Sequence, residues 1–196
     1  MSDKPVVIAD PGPLGLSGFG LTTVILSLIN ANFLPASIMT TVLALALVYG
    51  GSAQLLAGMW EFRKGNTFGA TAFTSYGAFW ISFYWLINHL SAITPQKDVG
   101  IGVGIYLLMW GVFSLYMFFG TFYANKALFY IFLFLVITFI LLAIANFSST
   151  STVIGGWFGL ITGVLALYTA AAGVINSQAG RVVWPVGSPI LKSSNS

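Results

Sequence analysis

The chain has 196 residues, of which 58% are hydrophobic and only 6% charged, against roughly 25% charged in a soluble domain. Seven basic and four acidic residues leave a net charge of +3, with no basic patch interleaved with aromatics that would point to nucleic acid. This composition excludes a soluble globule, and the absence of Cys excludes disulfides, thiolate metal sites and cysteine nucleophiles.

A membrane-crossing helix needs about 20 apolar residues, and the sequence reads as six of them. In chain order the spans are predicted at about Pro13–Phe33, Ser37–Trp60, Phe68–Leu90, Gly100–Phe122, Ala127–Asn146 and Val153–Asn176. Strands of a membrane barrel are shorter and alternate apolar with polar residues. Ala127–Ala145 is one long apolar run without alternation, so an all-α bundle is expected. Pro35, the polar stretch Glu61–Asn66, Pro95–Asp98, Asn125–Lys126 and Ser148–Thr152 separate the spans. Pro185, Gly187 and Pro189 break the helical pattern beyond the last one.

The expected organisation is a tail over residues 1–12, a transmembrane domain over 13–176 and a second tail over 177–196. Asp3, Lys4 and Asp10 near the N-terminus do not read as a cleaved signal peptide. With six spans, Lys4, Arg63, Lys64, Lys126, Arg181 and Lys192 fall on one side and Lys97 alone on the other. Basic residues concentrate on the cytoplasmic side, so both tails are expected there.

Gly155, Gly159 and Gly163 recur every fourth residue in the last span, as do Gly100 and Gly104 in the fourth. Gly50, Gln54 and Gly58 share a face in the second. Small residues at this spacing let helices approach closely in lipid, within one subunit or between subunits.

No enzyme constellation stands in the sequence. His89 is the single His. Asp3, Asp10, Glu61 and Asp98 all fall at predicted membrane edges, and no span carries a charge at its centre. Neither a metal cluster nor a cofactor motif is present. The spans do hold neutral polar groups. Phe19, Thr22, Thr23, Leu26 and Asn30 follow helical spacing in the first span. Gln54 in the second, Thr74 and Ser75 in the third and Asn146 in the fifth extend this set. Such groups are costly in hydrocarbon unless they find partners or a wet cavity.

The first span opens on Asp10-Pro11-Gly12-Pro13-Leu14-Gly15-Leu16. Pro at the first helical position removes an N–H that has no partner there anyway. The remaining free N–H groups favour an anion, either the Asp10 carboxylate as a cap or a small carboxylate from outside. At this motif the chain resembles the acetate uptake transporter family, of bacterial succinate–acetate permeases and fungal ammonia/acetate exporters. The similarity continues through Tyr49–Gln54, Gly65–Gly69, Ala72–Trp80, Trp110–Phe113 and Leu141–Asn146, nearly the whole chain. Asp10 departs from the Asn usual in that family, and a carboxylate there would repel an arriving anion unless protonated or turned away.

The resemblance implies a six-helix, urea-channel-like protomer assembled as a hexamer in the plasma (inner) membrane, with a path through each protomer. It implies acetate and related short carboxylates, succinate among them, as substrates. It further implies a hydrophobic constriction at Phe19, Tyr76 and Leu135, with Gln54 as a polar path residue. A channel for a neutral solute such as urea or ammonia is the alternative that an uncharged path would also suit.

Overall fold

The computed structural model describes residues 8–192, so the expectation resting on Lys4 lies outside the described residues. Among the described residues all regular structure is helical. Helix α1 spans Gly12–Asn30, with Pro13 in its first turn. It stops where Asn32 adopts a left-handed φ of 62°. A short 3-10 turn, Ala36–Ile38, then leads into α2, Met39–Leu47. A π-helical segment, Val48–Ala53, joins α2 to α3, Gln54–Lys64, in one continuous run. Gly65, at φ 79°, ends α3 in the left-handed conformation that glycine adopts without steric cost.

Helix α4, Thr67–Ile93, begins at Asn66, whose side chain accepts the Gly69 N–H at 3.1 Å. Helix α5 spans Gln96–Gly120 and continues as a 3-10 turn through Tyr123. Helix α6, Lys126–Ser148, is capped by Asn125, which accepts the Leu128 N–H at 2.9 Å. Helix α7 covers Val153–Ala179 and ends at Gly180, φ 62°. Among the described residues five helical runs are long and apolar enough to cross a membrane: Gly12–Asn30, Ala36–Lys64, Gln96–Tyr123, Lys126–Ser148 and Val153–Ala179. Helix α4 has 27 residues but is richer in hydroxyl and aromatic side chains and is not among those five.

Three local expectations differ from the structure. The polar stretch Glu61–Asn66 is mostly helix: Glu61–Lys64 form the last turn of α3, and only Gly65 and Asn66 connect it to α4. Gln96, Lys97 and Asp98 form the first turn of α5, not a loop, because Pro95 at φ −52° leads directly into the helix. Asp98 then sits where a helix dipole favours an acid. The second span is not a plain α-helix. Its π segment contains Gly50 and Gly51, where a side chain would meet Thr22 and Trp80, or the Ala46 carbonyl. Ser52 Oγ also donates to the Leu47 carbonyl at 2.8 Å, which holds the widened turn.

The glycine stripe of α7 packs within the chain. A Cβ at Gly163 would lie 3.0 Å from the Val24 nitrogen of α1, whereas one at Gly155 would strike Leu142 of α6; Gly156, beside the stripe, would strike the Asn30–Ala31 backbone. Gly159 faces Ser27. Gly156, Gly159 and Gly163 thus seat α7 against α1, and Gly155 against α6. Phe19, Tyr76, Phe79, Phe83, Phe132 and Phe139 form an aromatic core between α1, α4 and α6. Beyond Gly180 the chain is not helical, as Pro185 and Pro189 dictate, yet it is pinned. Asn176 Oδ1 accepts the Val183 and Trp184 N–H groups at 2.7 and 2.9 Å. The Ala127 N–H donates to the Val186 carbonyl at 2.9 Å.

Candidate functional site

Among the described residues, two partly open cavities of about 330 and about 230 Å³ reach into the bundle and adjoin one another. The residues common to both linings are Phe19 of α1 and Leu135 of α6. These two side chains are 5% and 3% exposed and separate the spaces. Tyr76 lines the larger cavity and packs on Phe19, with ring centroids 5.6 Å apart. Its own orientation is held by neighbours. Phe113 meets it edge-on at 5.3 Å, and its hydroxyl is 2.8 Å from Ser114 Oγ. Ser114 Oγ donates to the Trp110 carbonyl, so the Tyr76 hydroxyl is the donor in that pair. Phe19, Tyr76 and Leu135 therefore meet at one place, although they come from three helices.

The larger cavity lies toward the motif. Asp10, Gly12, Pro13 and Leu16 line it, together with Gln54, Glu61, Lys64 and Asn66. Pro11 is buried beside it, Leu14 faces outward, and Gly15 is covered by the ring of Phe73. Asp10 is not the N-cap expected of it: that position falls on Pro11, which makes no side-chain cap hydrogen bond, and Asp10 lies one residue before it. Its Oδ1 accepts the Gly12 N–H at 3.0 Å and the Lys64 ammonium at 2.8 Å. Burial raises the Asp10 carboxyl, but the hydrogen bonds from Lys64 and Gly12 outweigh it and hold the group below its ordinary value of 3.8. The ion pair compensates the negative charge of Asp10 at the cavity mouth.

The smaller cavity has no charged residue in its lining. Thr23, Ser27, Asn30, Thr138 and Asn146 supply its polar groups, among Phe79, Trp80 and Phe83. Asn146 Nδ2 donates to the Leu142 carbonyl at 2.8 Å, which leaves its oxygen available. Thr23 Oγ1 and Gln54 Oε1 are buried without a protein partner, one on each side of Phe19.

Thr22, Thr74 and Ser75 line neither cavity. Thr22 Oγ1 donates to the Gly18 carbonyl at 2.8 Å and abuts Gly50. Thr74 faces Gly58 of α3. The Thr22 and Thr74 hydroxyls sit at helix contacts, because helical spacing places Thr22 and Thr23 on diverging directions and only one can reach the cavity. His89 stacks on Trp85 at 4.8 Å, away from both cavities.

Sequence reasoning passed over Glu61, Lys64 and Asn66 as a polar loop, and over Trp80 and Ser114. Glu61 is 1% exposed, although it is the fourth residue from the end of α3. Its setting between Trp60 and Phe62 was the available signal.

Residues 3–188 match the GPR1/FUN34/yaaH family. The chain is 44% identical over 189 residues to the succinate-acetate/proton symporter SatP of Escherichia coli K12, covering 92% of this chain and 96% of that protein. It is 41% identical over 195 residues to acetate permease A of Emericella nidulans, covering 91% of this chain and 65% of the relative. The solved structure of the bacterial acetate channel SatP superposes with a TM-score of 0.86 at 43% identity, covering 92% of this chain and all of that one (100%). A shared fold, a family match over nearly the whole chain and these identities agree with the resemblance read from the motif: the chain belongs to the GPR1/FUN34/yaaH family.

Proposed function

We propose that this protein carries acetate and related short carboxylates, succinate among them, across the plasma (inner) membrane as a multi-pass permease, with no enzymatic step. The observation that carries the reading is the pair of cavities divided by Phe19 and Leu135. The names of the relatives support the choice of substrate.

Bulky apolar rings dewet a narrow passage and stop hydrated ions. A small carboxylate or its neutral acid sheds less water there, and Gln54 and Thr23 offer polar atoms on either side of the ring. Asn146 offers a further polar contact in the smaller cavity. In this reading the cavity bearing Asp10 and Lys64 opens to the cytoplasm, both tails are cytoplasmic, and six-helix protomers assemble as a hexamer.

The test is uptake of isotopic acetate into liposomes holding the purified protein, corrected for protein-free vesicles. Saturable uptake that unlabelled succinate suppresses and urea does not is the expected result. Uptake no faster than in protein-free vesicles would sink the proposal.

A further inference from the structure

We propose that Glu61 is the binding site for a proton that travels with the substrate; this rests on the reading just given. The side chain is 1% exposed and still lines the larger cavity. One oxygen, Oε2, accepts the Asn66 amide at 2.9 Å. The other faces the first turn of α1, where a Cβ at Gly12 would lie 3.7 Å from Oε1.

The charged groups that act on Glu61 are Lys64 and Asp10, with opposite sign. They are committed to each other at 2.8 Å. Helices α6 and α7 bring the neutral Asn125 and Asn176 to this lining, and α4 brings Tyr76 and no charged side chain. Glu61 is thus a desolvated carboxyl whose hydrogen-bond donor is a neutral amide.

A charge in such a place is costly unless it is paired. An ionised Glu61 would repel a carboxylate in the same cavity. With a proton from the water at the cavity mouth on Oε1, it would instead donate an O–H to that carboxylate. The incoming proton and anion sum to zero charge, and each favours the binding of the other by the same factor. As the substrate leaves for the constriction, its carboxylate takes the proton from Oε1, so that the Glu61 O–H breaks as the O–H of the acid forms; the neutral acid crosses and Glu61 returns to its ionised form.

Glu61→Gln tests this, because Gln keeps an acceptor oxygen for Asn66 and removes only the ionisable proton. In liposomes at zero voltage, one coupled proton gives a roughly tenfold response of acetate uptake to a tenfold proton gradient. That response should fall below about twofold in Glu61→Gln, and an acetate current driven by voltage should appear. A gradient response retained in full by Glu61→Gln would overturn the proposal and place the proton on the acid itself. If the variant carries too little acetate to measure, proton uptake on acetate binding decides. It is read by calorimetry in two buffers of different ionisation enthalpy. Wild type should take up a proton and Glu61→Gln should not; equal uptake overturns the proposal. Wild-type protein that carries no acetate would remove the underlying reading as well.

Discussion

At the scale of single residues, the constriction depends on rings whose positions are fixed by neighbours. Phe19 has Tyr76 on one side and Leu135 at the boundary it shares between cavities. Removing its ring should lower the barrier to passage, and each 1.4 kcal/mol or so of barrier is about tenfold in rate. Phe19→Ala is expected to raise acetate flux or weaken exclusion of larger anions, read in the same liposomes. Unchanged flux in well-folded Phe19→Ala and Tyr76→Ala would remove the gate assignment. Asp10 makes a separate prediction. Its folded-state carboxyl lies below the ordinary 3.8, so the Lys64 pair contributes stability above that pH and loses it as pH falls below. Both partners are partly exposed, so the effect should be under about 1 kcal/mol. Asp10→Asn should melt slightly lower than wild type near neutrality, with the difference fading in acid. At this scale the sequence was partly legible. Phe19, Thr23, Gln54 and Asn146 do line the cavities; spacing and polarity pointed to Thr23 and Asn146, and the family resemblance to Phe19 and Gln54. Glu61 was missed because a charge near a predicted span end ordinarily faces water, and only the packing of Asn66 and Gly69 over it shows otherwise.

At the scale of elements, the glycine stripe of α7 and the π segment set helix distances. Gly156 and Gly163 meet the backbone of α1, which cannot rotate away as a flexible side chain can. Gly156→Val is therefore expected to destabilise the protein by about 1–3 kcal/mol, as overpacked sites do. Thermal unfolding in detergent measures it. Gly102→Ala is the contrasting case. Its new Cβ would meet Leu90 at an ordinary 3.7 Å, and helix propensity should make the change neutral or stabilising by up to about 1 kcal/mol. The spacing of Gly155, Gly159 and Gly163 was plain in the sequence; the part played by Gly156 and the identity of the partner helices were not. The π segment left no period to read, since one widened turn amid apolar residues shifts the pattern by less than its noise.

At the scale of the whole molecule, the chain lacks Cys, so a single introduced Cys reports its own side of the membrane. With Lys97→Cys and Arg181→Cys, an impermeant thiol reagent applied outside intact cells should label the first and spare the second. Labelling of both from the same side would overturn the six-span orientation. Composition and run length by themselves determined that this is a helical membrane protein, because only helices and closed barrels satisfy their backbone in hydrocarbon, and long apolar runs without alternation do not fit barrel strands. The motif and its companions determined the family. The tertiary structure alone decided that Phe19, Tyr76 and Leu135 converge, that Lys64 offsets Asp10, and that Glu61 is buried against the cavity. Each of these depends on how far one helix is rotated and offset against another, and no spacing within a single helix carries that quantity.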